Sequence, residues 1–340
     1  MADSKIAKDQ LGEFLGAVSA DYAVYGPRAD GEVIAFGPIA SADELVLDYR
    51  NSTISPKEMF LPKAETVYEF DGQELLDDKL PEEKRVIFAM RPCDCRAVTL
   101  LDRVFDSDKV KDPFYVARRA NTVIIALACS RPMSTCFCTA TGGDPFGEEG
   151  ADILLADAGK SLNVKAVTER GKDFLGAYSK FFSSGAADWA GQGAEVRKKV
   201  KANLDIADAK SRLDGLFEDD IWESVSRHCL GCGTCSFLCP VCYCFDLTDE
   251  KTPTGARKVR RWDCCMFSEF TLHASGHNPR AINAARLRQK IMHKFSYFTE
   301  RYGVNGCVGC GRCTRSCPVN LDIRRLLGEV MAAPEAAVQK

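Results

Sequence analysis

The 340-residue chain has no long apolar run. Its longest wholly apolar stretch, Val123–Cys129, falls far short of the about 20 residues that a membrane-spanning helix needs. No membrane role is therefore expected. Neither sign of charge dominates. The formal net charge is −3, so no global basic field invites nucleic acid. Nucleotide fingerprints are missing too: no G-x-G-x-x-G follows a strand-like segment, and no G-x₄-G-K-[ST] occurs. By that standard the chain is expected to carry no NAD or flavin of its own. Histidine is scarce, four residues in all, and no Ser/His/Asp or Cys/His constellation stands out. The first residues, Met1 to Lys5, are charged and lack an apolar h-region, which predicts a cytoplasmic protein.

Cysteine, by contrast, is abundant at 17 residues. Cys229, Cys232, Cys235 and Cys239 run directly into Pro240, and Cys307, Cys310, Cys313 and Cys317 run directly into Pro318. The chain thus writes C-x₂-C-x₂-C-x₃-C-P twice, the bacterial ferredoxin signature for [4Fe–4S] clusters. Three thiolates on one tight loop can close over three irons of a cube, while the fourth must come from further along the chain. In two-cluster ferredoxins that fourth cysteine serves the other cluster. On this pattern cluster 1 takes Cys229, Cys232, Cys235 and Cys317, and cluster 2 takes Cys307, Cys310, Cys313 and Cys239. Zinc is the plainer alternative, but zinc fingers favour pairs of C-x₂-C separated by a longer loop, with four ligands in all. Disulfides do not suit a cytosolic chain with cysteines this clustered. The motifs point to single-electron transfer.

Nine cysteines remain. Cys93, Cys95, Cys129, Cys136 and Cys138 follow strand-like segments or lie in the loop after one, and four of them could hold a third cluster. The competing reading is that cysteine is simply a common small buried residue. Cys242, Cys244, Cys264 and Cys265 follow the first motif, with His273 and His277 a little beyond. They either form a fourth site or pack as soft neighbours beside a cluster. Arg257, Lys258, Arg260 and Arg261 read as a solvated basic loop, or secondarily as a docking patch for an acidic partner.

Length and patterning predict two domains. Residues 1–210 read as an α/β or α+β domain with a mixed sheet. Helix is expected over Leu11–Val18, and strands over Tyr22–Tyr25, Val33–Phe36, Thr66–Phe70, Arg85–Met90, Thr122–Ala128, Asp152–Ala156 and Leu162–Val167. A second helix is expected over Lys172–Phe182, and a charged helical connector over Ala194–Ala209. Residues 220–335 read as a mainly α-helical dicluster ferredoxin-like domain with a helical insert at 245–305. In that insert Asn278-Pro279 predicts a helix start and Gly303 its stop. Asn320 is expected to cap a final helix, and an Ala-rich tail to fray beyond it.

Several strings together resemble one family: Arg91-Pro92-Cys93-Asp94, Thr135-Cys136-Phe137-Cys138, Cys229 through Cys244, Trp262-Asp-Cys-Cys265-Met-Phe, Ser275-Gly-His277-Asn, and Cys307 through Cys317. They are similar to the A-subunit of anaerobic sulfite reductase and to the β subunit of cytoplasmic NiFe hydrogenases (sulfhydrogenases). Related iron–sulfur subunits accompany heterodisulfide reductase in flavin oxidoreductase complexes. The resemblance spans about residues 56–325. The ferredoxin motifs alone are generic; the Arg-Pro-Cys-Asp, Cys-Phe-Cys and Trp-Asp-x-Cys-Met-Phe strings are more specific.

The resemblance picks out Cys93, Cys129, Cys136 and Cys138 as a third cluster set, and Cys242, Cys244, Cys265 and His277 as an additional site. It leaves Cys95 and Cys264 as spares. It also implies an electron-transfer subunit, not catalytic alone, between a flavin/NAD-binding partner and a terminal catalytic subunit: heterodisulfide reductase, NiFe hydrogenase or sulfite reductase. The rival expectation is that the chain itself reduces a sulfur compound or a disulfide at its N-terminal cysteines. A structural or sensory iron–sulfur protein is a third reading.

Overall fold

The computed structural model describes residues 3–72, 74–76, 80–202 and 204–333, in two units. The expected frayed tail lies outside the described residues apart from its first few positions. The first unit comprises residues 3–60, 80–202 and 308–310. The second comprises 61–72, 74–76, 204–307 and 311–333.

In chain order the strands are β1 (Ser4–Ala7), β2 (Ala23–Asp30), β3 (Val33–Pro38), β4 (Ala64–Asp71), β5 (Glu74–Leu75), β6 (Arg85–Met90), β7 (Thr122–Leu127), β8 (Ile153–Asp157), β9 (Ser161–Ala166), β10 (Ser183–Ser184), β11 (Phe245–Lys251) and β12 (Gly255–Trp262). The first unit is built on a mixed sheet in the order β10-β1-β9-β8-β7-β6-β2-β3. Its centre is parallel: β8, β7, β6 and β2 run the same way, flanked by antiparallel strands on both sides. β6 and β7 are buried along their whole length, which is why Val86-Ile-Phe-Ala and Val123-Ile-Ile-Ala read as continuous apolar runs. One face packs around Phe14 of the helix Leu11–Val18, whose ring meets Phe88, Phe174, Tyr178, Phe181 and Phe182 at 5.5–6.4 Å.

The end of β6 is irregular. Its register with β7 shifts between Ile87 and Met90, and Ala89 has φ +60°. A left-handed L-residue costs about 1–2 kcal/mol. The buried Tyr49 hydroxyl donates to the Ala89 carbonyl at 2.6 Å and holds the bulge. The bulge re-aims the chain immediately before Arg91 and Cys93.

The second unit is not purely helical. β4, which the sequence places in the first domain, instead pairs with β12, and a four-stranded sheet runs β11-β12-β4-β5. The insert therefore opens with a β-hairpin, 245–262, before any helix. The basic run belongs to that hairpin and not to a solvated loop. Arg257 and Arg261 both pair with Glu250, Lys258 pairs with Asp249 at 2.7 Å, and the buried Arg260 pairs with Glu65 at 2.5 Å.

Several helix boundaries also depart from expectation. The insert helix starts at Asn283, not at Pro279. The Asn278 side chain is committed to a turn: its Oδ1 accepts from Arg280 N and Thr271 Oγ1, and its Nδ2 donates to the Ser268 carbonyl. That helix continues through a π-helical segment, His293–Tyr297, to a left-handed Gly303. The last helix, Ile323–Ala332, is capped by Asp322, whose carboxylate accepts from Arg324 N; Asn320 sits in the left-handed region instead. The predicted helix over Lys172–Phe182 is Glu169–Ala177, capped by Thr168 and followed by a short 3₁₀ turn. The charged connector stops as helix at Lys199.

Candidate metal centres

The two ferredoxin motifs share a local shape. Gly231 and Gly233 in the first, and Gly309 and Gly311 in the second, all have positive φ. The second glycine of each pair starts a short helix, Thr234–Phe237 or Arg312–Arg315, that carries the third cysteine.

In the second unit Cys229, Cys232, Cys235 and Cys317 line one cavity. Cys313, assigned by the crossing pattern to the other cluster, lines it as well. The rest of the wall is mostly apolar and includes Leu230, Met266, Leu287, Ile291, Leu321 and Leu326. Backbone N–H groups point at sulfur: Gly231 N to Cys229 Sγ at 3.4 Å and Leu321 N to Cys317 Sγ at 3.3 Å. Burial raises the Cys229 thiol, whereas the Thr234 side chain and N–H hold the more exposed Cys232 below the ordinary thiol value.

A ring of thiols around an apolar hollow suits a polynuclear cluster. A lone zinc ion would need its ligands about 2.3 Å from a single point. Among the described residues no three Cys, His, Asp or Glu side chains converge as a single ion requires.

Lys290 and Lys294, which no motif marks in the sequence, are buried against these cysteines. Lys290 Nζ lies 2.6 Å from Cys235 Sγ and 3.0 Å from Ser236 Oγ; Lys294 Nζ lies 3.4 Å from Cys239 Sγ and 3.1 Å from the Gly306 carbonyl. Val241 N also donates to Cys239 Sγ, at 3.4 Å. The sequence does carry a signal for them: both lysines fall on the helix face that carries Leu287, Ile291, Phe295 and Phe298, where a charge is out of place.

In the first unit Cys93, Cys129, Cys136 and Cys138 line a single cavity. β6 and β7 are parallel neighbours, so their carboxyl ends set Cys93, in the first turn of the helix Pro92–Phe105, beside the loop with Cys129. Arg91, Asn51 and Cys310 line the same cavity. The Cys136 thiol lies 3.8 Å from the Cys310 carbonyl, to which Asn51 Nδ2 also donates at 2.9 Å. Burial pushes the Cys129 thiol up, and with help from Cys136 and Cys129 it pushes Cys138 up to about 12. Cys95 is fully buried, its sulfur turned toward the Met90 carbonyl, and it does not line the cavity.

A third cavity, in the second unit, is lined by Cys242, Cys244 and Cys265 with His293, Lys290 and Lys294. His277, which the resemblance groups with these cysteines, is elsewhere: it is exposed, and its ring meets that of His273 at 5.4 Å. The histidine at the cavity is His293, 3.0 Å from the Tyr243 hydroxyl, and burial lowers it to about 4. Cys265 hydrogen-bonds to both Cys244 and Cys264, which holds those two low and pushes Cys265 itself up.

Residues 228–321 match the family model of a 4Fe–4S dicluster domain. Over 331 residues, 96% of this chain and 97% of the relative, the sequence is 30% identical to sulfhydrogenase 2 subunit beta of Pyrococcus furiosus. No solved structure matches. Among the described residues no helix is long and apolar enough to cross a membrane.

Proposed function

The chain belongs to the family of sulfhydrogenase β subunits with a 4Fe–4S dicluster domain, and from that membership we propose that it relays single electrons between a flavin- or NAD-binding partner and a terminal catalytic subunit. That it is an iron–sulfur electron-transfer subunit follows from the family. The further proposal concerns which cysteines carry which cluster. Cys229, Cys232, Cys235 and Cys317 hold cluster 1, Cys307, Cys310, Cys313 and Cys239 hold cluster 2, and Cys93, Cys129, Cys136 and Cys138 hold a third. The terminal acceptor would be the active site of a NiFe hydrogenase, a heterodisulfide reductase or a sulfite reductase.

The observation that carries this reading is the first unit's cavity. Four cysteines from three separate stretches of chain face it, and Cys310 of the second motif lines it too. This supports an N-terminal cluster beside Cys310. The chain's own task is then to hold the clusters in place and to tune them through burial and N–H···S bonds. The rival reading, a sulfur-reducing thiol site, needs a thiolate of lowered pKa. Burial moves Cys129 and Cys138 the other way.

Iron analysis tests the count. The anaerobically purified full chain should hold about twelve irons, four per cluster. Cys138→Ser and Cys93→Ser should each lower this to about eight and remove one signal from the low-temperature EPR spectrum. Unchanged iron and spectra in both variants would end the third-cluster assignment, and a wild-type value near four would sink the dicluster core as well. Co-purification from the native host identifies the partners; a siroheme, NiFe or heterodisulfide reductase subunit would each name the pathway.

A further inference from the structure

Lys290 and Lys294 stand four residues apart, one helical turn, and so project from the same face of the insert helix. Each is almost wholly buried, at 5% and 7% exposed. Among the described residues neither ammonium is paired with a carboxylate; their partners are sulfur and neutral oxygen. A buried cation without a counter-ion is costly, so the negative charge that justifies it must come from what the site holds.

The two sulfurs belong to different clusters. Cys235 is the third cysteine of the first motif and falls to cluster 1 in the ferredoxin pattern. Cys239 is the fourth and crosses to cluster 2. Resting on the cluster assignment above, we propose that Lys290 and Lys294 are a matched pair of potential-setting residues, one for each cluster. Lys290 raises the reduction potential of cluster 1 and Lys294 that of cluster 2.

The physics is direct. A cluster held by four thiolates carries net negative charge, and one-electron reduction adds another. A fixed positive charge in contact with a ligand sulfur stabilises the reduced form more than the oxidised one. Burial keeps that interaction from being screened by salt. Two lysines on one rigid helix, each against a different cluster's ligand, adjust both potentials in the same direction. This keeps an electron from being trapped on either cluster.

The test is a potentiometric EPR titration of the cluster-loaded full chain and its variants. Lys290→Met should lower one redox wave so that, at a fixed solution potential, at least tenfold less of that cluster is reduced, equivalent to about 59 mV for one electron. Lys294→Met should move the other wave and leave the first in place. Lys290→Arg, which keeps the charge, should restore most of the shift. Unmoved waves in both methionine variants would overturn the proposal. So would both variants moving the same wave, or a loss of iron in Lys290→Met that Lys290→Arg does not restore, which would make the lysine a packing element. A wild-type chain lacking the two clusters would be the failure of the cluster assignment itself, and the iron content shows that before any titration begins.

Discussion

Gly309→Ala should strip the N-terminal cavity of the cluster proposed there, lowering iron by about four per chain, and should destabilise the protein by about 2–5 kcal/mol. Gly309 sits between Cys307 and Cys310, with φ +61°. Its carbonyl accepts from Phe137 N at 2.8 Å. A Cβ added there would lie 2.5 Å from Cys138 N and from the Phe137 carbonyl carbon and oxygen. Those are backbone atoms, so no side chain can swing aside. The left-handed conformation costs an alanine about 1–2 kcal/mol, and forcing the two segments apart costs a further ~1–3 kcal/mol. The movement falls on the Cys136–Cys138 loop, half of the thiol ring. Gly303→Ala is the control: its φ is +73° but nothing lies within 4 Å of the added Cβ, so it should show the conformational cost alone and keep its iron. Anaerobic denaturant unfolding and iron analysis of the pair decide the matter. Equal behaviour of the two variants would mean that the Gly309 contact does not frame a cluster.

This contact is partly legible in sequence. Glycines between cluster ligands mark backbone that must curl tightly, and all four motif glycines adopt positive φ. The facing segment, Phe137–Cys138, lies 171–172 positions away, beyond the reach of local pattern. The same division runs through the fold. The central strands β6 and β7 are legible because buried parallel strands read as unbroken apolar runs. β4 reads as a strand, but its alternation says nothing about its partner, and that partner is β12, almost two hundred residues on. The hairpin 245–262 escapes sequence reading because its strands are charged: the cross-strand pairs of Glu250, Asp249 and Glu65 with four basic residues replace the usual apolar signal. Predicted helix starts fail where an asparagine spends its side chain on a turn, as at Asn278, or sits left-handed, as at Asn320.

The cysteines behave in the same way. Spacing marks the ferredoxin motifs, and the family strings single out the four cysteines that share the first unit's cavity. His277 shows where strings mislead. It is linear neighbour to a cysteine segment yet exposed, while His293, from a helix legible only by its apolar stripe, faces the thiols.

Arg91→Met should be as damaging as Gly309→Ala, and for a reason that the Arg-Pro-Cys-Asp string conceals. Arg91 is 4% exposed. Its guanidinium donates to the carbonyls of Leu127 at 3.2 Å, Ala128 at 2.8 Å and Tyr49, and its carbon lies 4.1 Å from the Tyr49 ring centroid. Ala128 precedes Cys129, and Arg91 is the N-cap of the helix whose first turn carries Cys93, so this one side chain ties together the segments that carry two of the four thiols. Methionine leaves the carbonyls buried without their donor, at about 1–3 kcal/mol for each that water cannot reach, and a loss of ~3–5 kcal/mol is expected. Lys discriminates the cause. It keeps the charge, which alone would serve a negatively charged cluster, but a single ammonium cannot reproduce the planar fork. If geometry is what matters, Arg91→Lys should also lose about four irons per chain and most of the stability. If it keeps its iron and unfolds like the wild type, the arginine acts as a charge beside the cavity and not as the brace between Cys93 and Cys129.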